Sequence, residues 1–338
     1  MAAPPPVNPP AFVARHHNLA SPTMGARVVF ASDQFFADSG RMLADAAAVF
    51  YPDRYDDHGK WMDGWETRRR RHGGNDFAII RLGARGVIRG FNIDTHFFTG
   101  NFPPAAMVEG ALVSDDADGD WEKIKWQPLL STMRLTGNNH NFFAIDNEHE
   151  FNILKLSIFP DGGVARFRVY GEPKCDWQAK KNHDDIELSA LKYGGRIIGY
   201  NDAHYGHVES LIAEGRAANM GDGWETRRRR EPGHDWLILA LAHPGIIDRV
   251  EVDTAHYKGN YPDSCSLQAA MVEHATDNSL VAAAMFWPEL LPPQKLQADH
   301  IHQFDKKLLT LKTPVSHVRL NIFPDGGVSR LRLFGRMP

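Results

Sequence analysis

Asp63 to Arg71 reads DGWETRRRR, and Asp222 to Arg230 reads DGWETRRRR again. Working outward, Ile158 to Val164 reads IFPDGGV and Ile322 to Val328 repeats it. Between these anchors, IDTHFFTGNFP (Ile93 to Pro103) answers VDTAHYKGNYP (Val252 to Pro262). MVEGA at Met107 is matched to MVEHA at Met271, and SDQFF at Ser32 loosely to NDAHY at Asn201. The order is the same in both halves, and solenoid repeats are far shorter, so the chain reads as a duplicated domain. The expected division is a flexible Pro-rich N-terminus over 1–20, a first repeat over 21–172, a polar linker over 173–192 and a second repeat over 193–338.

Each half reads as β. DFAIIRLG (Asp76 to Gly83) and DWLILALA (Asp235 to Ala242) are short apolar runs, and IRGFNIDT and IDRVEVDT follow after a turn. VARFRVYG at Val164 alternates, with Phe167 and Val169 on one face and Arg166, Arg168 and Tyr170 on the other. The Pro-Asp-Gly-Gly ahead of it is turn chemistry and predicts a hairpin. Ala37 to Phe50 and Ser210 to Ala218 are the candidate short helices. Many short strands, regular turns and little helix predict an all-β chain of two tandem sandwiches.

Composition narrows the function. Lys+Arg 38 against Asp+Glu 42 gives a net charge of −4, which argues against binding along nucleic acid by counterion release. Two cysteines, Cys175 and Cys265, exclude a disulfide framework and any cysteine-rich zinc cluster. No apolar run is long enough for a membrane helix. The proline-broken N-terminus lacks the pattern of a signal peptide, so a cytoplasmic protein is expected. Walker, G-x-G-x-x-G, G-x-S-x-G and H-E-x-x-H motifs are all missing from the sequence.

The repeated motifs hold the candidate site. Glu66 and Glu225 sit among four arginines each, which would keep them ionised. In an extended segment Arg68 and Arg70, and likewise Arg227 and Arg229, share a face with the glutamate and could clamp a carboxylate. The bland alternative is a solvated face or a subunit contact. Trp65 and Trp224 are core or rim aromatics, or a ligand platform. Asp94 and Asp253 end apolar strands, with His96 or His256 and then Asn101 or Asn260 following. Such a trio could hold a small polar molecule, or Asp and Asn could simply bond the turn. His96 and His256 are offset by one residue, so on a strand they would face opposite ways. Glu109 and Glu273 read as surface acids. His140, with His300 and His302, is a third cluster; His300-x-His302 could meet a metal with an Asp, but no diagnostic third ligand accompanies it.

At the doubled DGWETRRRR, the DT-x-x-[FY]-x-GN-[FY]-P segments and the doubled IFPDGG, the chain resembles the allantoicase family, over nearly its whole length after the first 20 or so residues. The resemblance implies two jelly-roll sandwiches of the galactose-binding-like type. It also implies hydrolysis of allantoate to ureidoglycolate and urea in purine catabolism. Losing urea from the central carbon calls for proton transfer and cationic anchoring. Glu66, Glu225, His96, His256, Asp94 and Asp253 are the expected catalytic residues. Arg68, Arg70, Arg227, Arg229, Asn101, Asn260, Trp65 and Trp224 are expected to bind substrate. No cofactor and no metal ligand are assigned, a divalent metal being kept as the alternative means of activating water. The expected partners are allantoate and further copies of the chain, with no nucleic acid and no membrane. The rival reading is a non-catalytic sugar- or small-ligand-binding double sandwich.

Overall fold

The computed structural model describes residues 8–114, 119 and 121–338. It divides into two compact units, Met1–Lys174 and Cys175–Pro338. Each unit is built around one 19-residue strand, Asp76–Asp94 in the first and Asp235–Asp253 in the second. The sequence reading split each of these into two strands and a turn. The chain instead stays extended through the glycines, and the strand changes layers there. Its first half pairs with Arg27–Ala31 and Glu150–Phe159, and its second half with His140–Ala144 and Arg166–Pro173. The second unit repeats this: Asp235–Ala240 pairs with Arg196–Tyr200 and Val315–Phe323, and Arg249–Asp253 with Ile301–Asp305 and Arg330–Arg336. All of these ladders are antiparallel, giving a jelly-roll sandwich in each unit.

The layers close on apolar side chains at alternate positions. Ile80, Ile93, Leu154, Leu156, Phe167 and Val169 are fully buried, and Phe91 stacks on Phe167 at 5.8 Å between centroids. Alternation therefore located the inner face of Arg166–Pro173 correctly, but its outer face is covered too. Arg166 is only 1 % exposed.

Several expectations need correcting. Residues 11–20 are not a loose lead-in: Ala11–Arg15 is helical, His17–Asn18 pairs with Tyr170 and Gly171, and Leu19 and Ala20 are fully buried. Residues 1–7 of that expectation lie outside the described residues. The linker likewise shrinks, because Ile186–Glu187 pairs with Phe334 and Gly335 and Leu188 and Ser189 are fully buried. Both repeats thus begin earlier than their obvious motifs. The candidate helices reduce to 3-10 turns at Ser39–Leu43 and Val208–Ile212. The Pro-Asp-Gly-Gly turns do not form hairpins; the strands on either side flank different halves of the long strand. Finally, register places Ser266 and Gln268, not MVEHA, where Met107 and Glu109 stand, since Ser157 faces Met107 and Asn321 faces Ser266. The MVEGA/MVEHA match is coincidental.

Candidate active site

The three repeated motifs form one structure in each unit. Trp65–Glu66 pairs with Gly163–Val164, and Trp224–Glu225 with Gly327–Val328, so DGWETRRRR lies against the Asp-Gly-Gly turn. The Gly-Asn turn joins them: Asn101 O accepts from Gly163 N at 2.7 Å, and Asn260 O from Gly327 N at 2.7 Å. Gly162 at φ 140° and Gly326 at φ 134° occupy backbone that favours glycine. A Cβ on Gly162 would lie 2.6 Å from Pro103 N, so the close approach also requires glycine.

Most of the doubled motif is explained by contacts that recur. Asp63 pairs with buried Arg166 at 2.7 Å, and Asp222 with buried Arg330 at 3.0 Å. Trp65 and Trp224 are 0 % exposed, and their indoles donate to Asp33 O and Asp202 O. They cannot serve as platforms for a ligand. Thr67 and Thr226 hydroxyls accept from Gly162 N and Gly326 N at 3.1 Å.

The arginine segment is not a strand, and its side chains do not alternate freely. Arg68 is held by Asp33 at 2.6 Å and Arg227 by Asp202 at 3.0 Å. Arg70 pairs with Asp76 at 2.6 Å while its backbone N–H donates to Asp161; Arg229 does the same with Asp235 and Asp325. The four arginines expected to clamp substrate are therefore already engaged by aspartates. Arg69, Arg71, Arg228 and Arg230 are exposed and make no ion pair or hydrogen bond among the described residues. They are the part of the repeat that internal contacts leave unexplained.

Glu66 Oε1 accepts from Asn101 Nδ2 at 2.7 Å, and Glu225 and Asn260 make the same pair. With the arginines turned to their own aspartates, the expected cationic setting of Glu66 is replaced by desolvation. Burial pushes its carboxyl above the usual carboxylate range, and the Asn101 hydrogen bond offsets this in part. In the second unit Glu225, 9 % exposed, lies in a cleft of about 670 Å³ with Asn260, Tyr205, Arg228 and Asp325.

Asp94 and Asp253 are buried and do not join this cluster; Asp253 and His256 do not line the cleft. His96 sits in a turn, with Nδ1 2.5 Å from Asp94 Oδ1. His140 Nδ1 approaches Asp94 Oδ2 at 3.5 Å. His256 occupies the place of Phe97, both at positive φ, and its Nε2 lies 2.9 Å from Ala217 O. The two histidines differ in role because the turn gives them different backbone conformations, not because a strand face flips. His302 is a satisfied residue: Nε2 accepts from Gln297 N at 2.8 Å and Nδ1 meets Val252 O at 3.1 Å. Asn141 makes the matching bonds with Thr136 N and Ile93 O. His140 therefore stands apart from His300 and His302, and joins Asp94 and His96.

Each unit is thus a jelly-roll sandwich carrying a carboxylate–amide pair, and in the second unit the unpaired Arg228 lines the same cleft as that pair. The allantoicase repeat matches residues 17–174 and 186–338. The chain is 53 % identical over 330 residues to probable allantoicase 2 of Burkholderia pseudomallei, covering 98 % of this chain and 97 % of that protein. It is 53 % identical over 331 residues to the probable allantoicase of Rhizobium meliloti, covering 97 % and 96 %. The crystal structure of allantoicase from Saccharomyces cerevisiae superposes with a TM-score of 0.80 at 30 % identity, covering 96 % of this chain and 95 % of that one. The chain belongs to the allantoicase family.

Proposed function

We propose that the Glu–Asn corner is where this chain carries out the family's reaction, hydrolysis of allantoate to ureidoglycolate and urea in purine catabolism. The observation that carries this reading is the cleft in the second unit, where Glu225, bonded to Asn260, shares one wall with the unpaired Arg228. An exposed guanidinium suits the substrate carboxylate, which it can meet bidentately. The Asn260 amide, oriented by Glu225, offers a hydrogen bond to a ureido group.

In the reaction the bond between the central carbon and one ureido nitrogen breaks. Glu225, or Glu66 in the first unit, delivers a proton to that nitrogen, so urea leaves neutral. Water then adds its oxygen to the carbon and returns a proton to the carboxylate, giving the carbinol of ureidoglycolate. A carboxyl raised toward neutrality by burial, as at Glu66, suits both halves of this exchange. Positioned proton transfer of this kind contributes about 10²–10⁴-fold. The amide in Glu225→Gln and Glu66→Gln keeps the shape and can still accept from asparagine, but cannot transfer the proton. Urea release should therefore fall by about that factor in the double variant. Full activity in the double variant overturns the assignment.

Asp94, Asp253, His96 and His256 are left outside this step. We also propose that the protein works in the cytoplasm as a homo-oligomer without nucleic acid. The net charge of −4 supports the exclusion of nucleic acid, and no helix among the described residues is long and apolar enough to cross a membrane.

A further inference from the structure

Asp94, His96 and His140 bring one carboxylate and two imidazoles together, each offering a ligand atom within 4.8 Å of the others. The carboxylate has a histidine near each oxygen, and the two rings stand edge to face at 4.4 Å. Beside them is a polar group that internal contacts leave incomplete. Asn92 is 2 % exposed, its Nδ2 lies 3.0 Å from His140 Nδ1, and its Oδ1 has no hydrogen-bond partner. Turning that amide over would exchange its nitrogen and oxygen and present the carbonyl to the cluster.

The second unit has dismantled the same place. Register sets Ile301 opposite Asp253, as His140 stands opposite Asp94. Ala255 follows Thr254 where His96 follows Thr95. Arg216, four residues beyond the Val208–Ile212 turn, reaches Asp253 Oδ2 at 3.4 Å; the matching position after Ser39–Leu43 is Ala47. Each buried aspartate accepts one backbone N–H, from His96 or Ala255, and a buried carboxylate is otherwise paired with positive charge or set on a metal. The second unit supplies that charge as a guanidinium while losing both imidazoles, and the first keeps both imidazoles and no arginine there. Arg168, the nearby cation on the first unit's strand, is turned to the carbonyls of Asp45 and Ala46.

We infer that Asp94, His96 and His140 bind one divalent transition-metal ion, and that the first unit alone has this site. Two imidazoles and a carboxylate are an N₂O donor set suited to zinc and its neighbours, with Zn²⁺ the first probe. The site is open on one side: the His140 side chain is 35 % exposed against 5 % for Asp94. Three protein ligands would thus leave a coordination position facing solvent.

The test is zinc content of the full-length protein after loading with zinc chloride and exhaustive dialysis, read by mass spectrometry of the metal. One equivalent per chain is expected. His96→Ala and His140→Ile install the residues that the second unit accommodates at these places, and each should lower retention at least tenfold. Circular dichroism of both variants checks folding. Should either variant fail to fold, cobalt(II) added to the wild type reads the site directly, through visible bands shifted by nitrogen ligation. Wild-type protein that holds no zinc and gives no cobalt bands overturns the inference, as does undiminished retention in folded variants. None of these readings depends on turnover, so the outcome is independent of the role given to Glu225.

Discussion

Arg166 and Arg330 are cations in the interior, and their cost is met by their partners. Arg166 donates to Asp63 Oδ2 at 2.7 Å, to Asp63 O at 3.1 Å and to Ala46 O at 2.8 Å. It thereby fastens the loop that carries the first Asp-Gly-Trp-Glu. Arg166→Ala leaves Asp63 without its counter-ion and should cost about 3–5 kcal/mol, read as a lower urea midpoint. Glu66 gives a second residue-scale prediction. Burial raises its carboxyl, so the fold favours the neutral form. Its contribution is complete below the ordinary value of 4.5 and is lost as pH rises through the raised one. The stability of the wild type relative to Glu66→Gln should therefore decline from acid to neutral pH. A difference that stays flat, or grows with pH, contradicts the burial account. Residue identities in the doubled motif were legible from sequence, but their partners were not. Nothing in RRRR tells which arginines meet aspartates; Asp76 and Asp161 are brought to Arg70 only by the fold.

At the scale of elements, close packing explains why glycines recur. A Cβ on Gly163 would sit 1.9 Å from Phe98 Cε1, and one on Gly327 would sit 2.1 Å from Tyr257 Cε1. Both rings are fully buried and have little room to withdraw. Gly163→Ala should destabilise by about 1–3 kcal/mol through overpacking. Combined with Phe98→Leu, which frees space, the loss should be smaller than the sum of the two single effects. Strict additivity in that double-mutant cycle would show that the ring is not what excludes the methyl group. Strand identity and inner faces were legible because a period of two survives in the side chains. The joining of DFAIIRLG to IRGFNIDT was not, because glycine within a strand and glycine in a turn look alike in sequence. The hairpin expectation failed for a related reason: turn chemistry fixes a reversal, not which sheet the next strand enters.

For the whole molecule, duplication was the most legible feature, and divergence within it the most informative. The repeats keep the Glu–Asn corner in both units but treat the buried aspartate differently. The difference lies in the register opposite Asp94 and Asp253, where His140 and Ile301 stand, and one residue of misalignment hides it. The early boundaries of both repeats were missed because Leu19 and Leu188 are among the few matching residues there. Oligomeric state is a prediction at this scale: sedimentation equilibrium should return a mass that is a multiple of 37.9 kDa. A mass equal to one chain at all concentrations would contradict it.

The long strand of each unit belongs to both of its layers. Opening one layer therefore pulls on amides that secure the other, and neither can fray while its opposite stays intact. Each unit should consequently behave as one cooperative block in native-state hydrogen exchange. The slowest amides along Asp76–Asp94 should share a single opening free energy at both ends of the strand, and so should those along Asp235–Asp253.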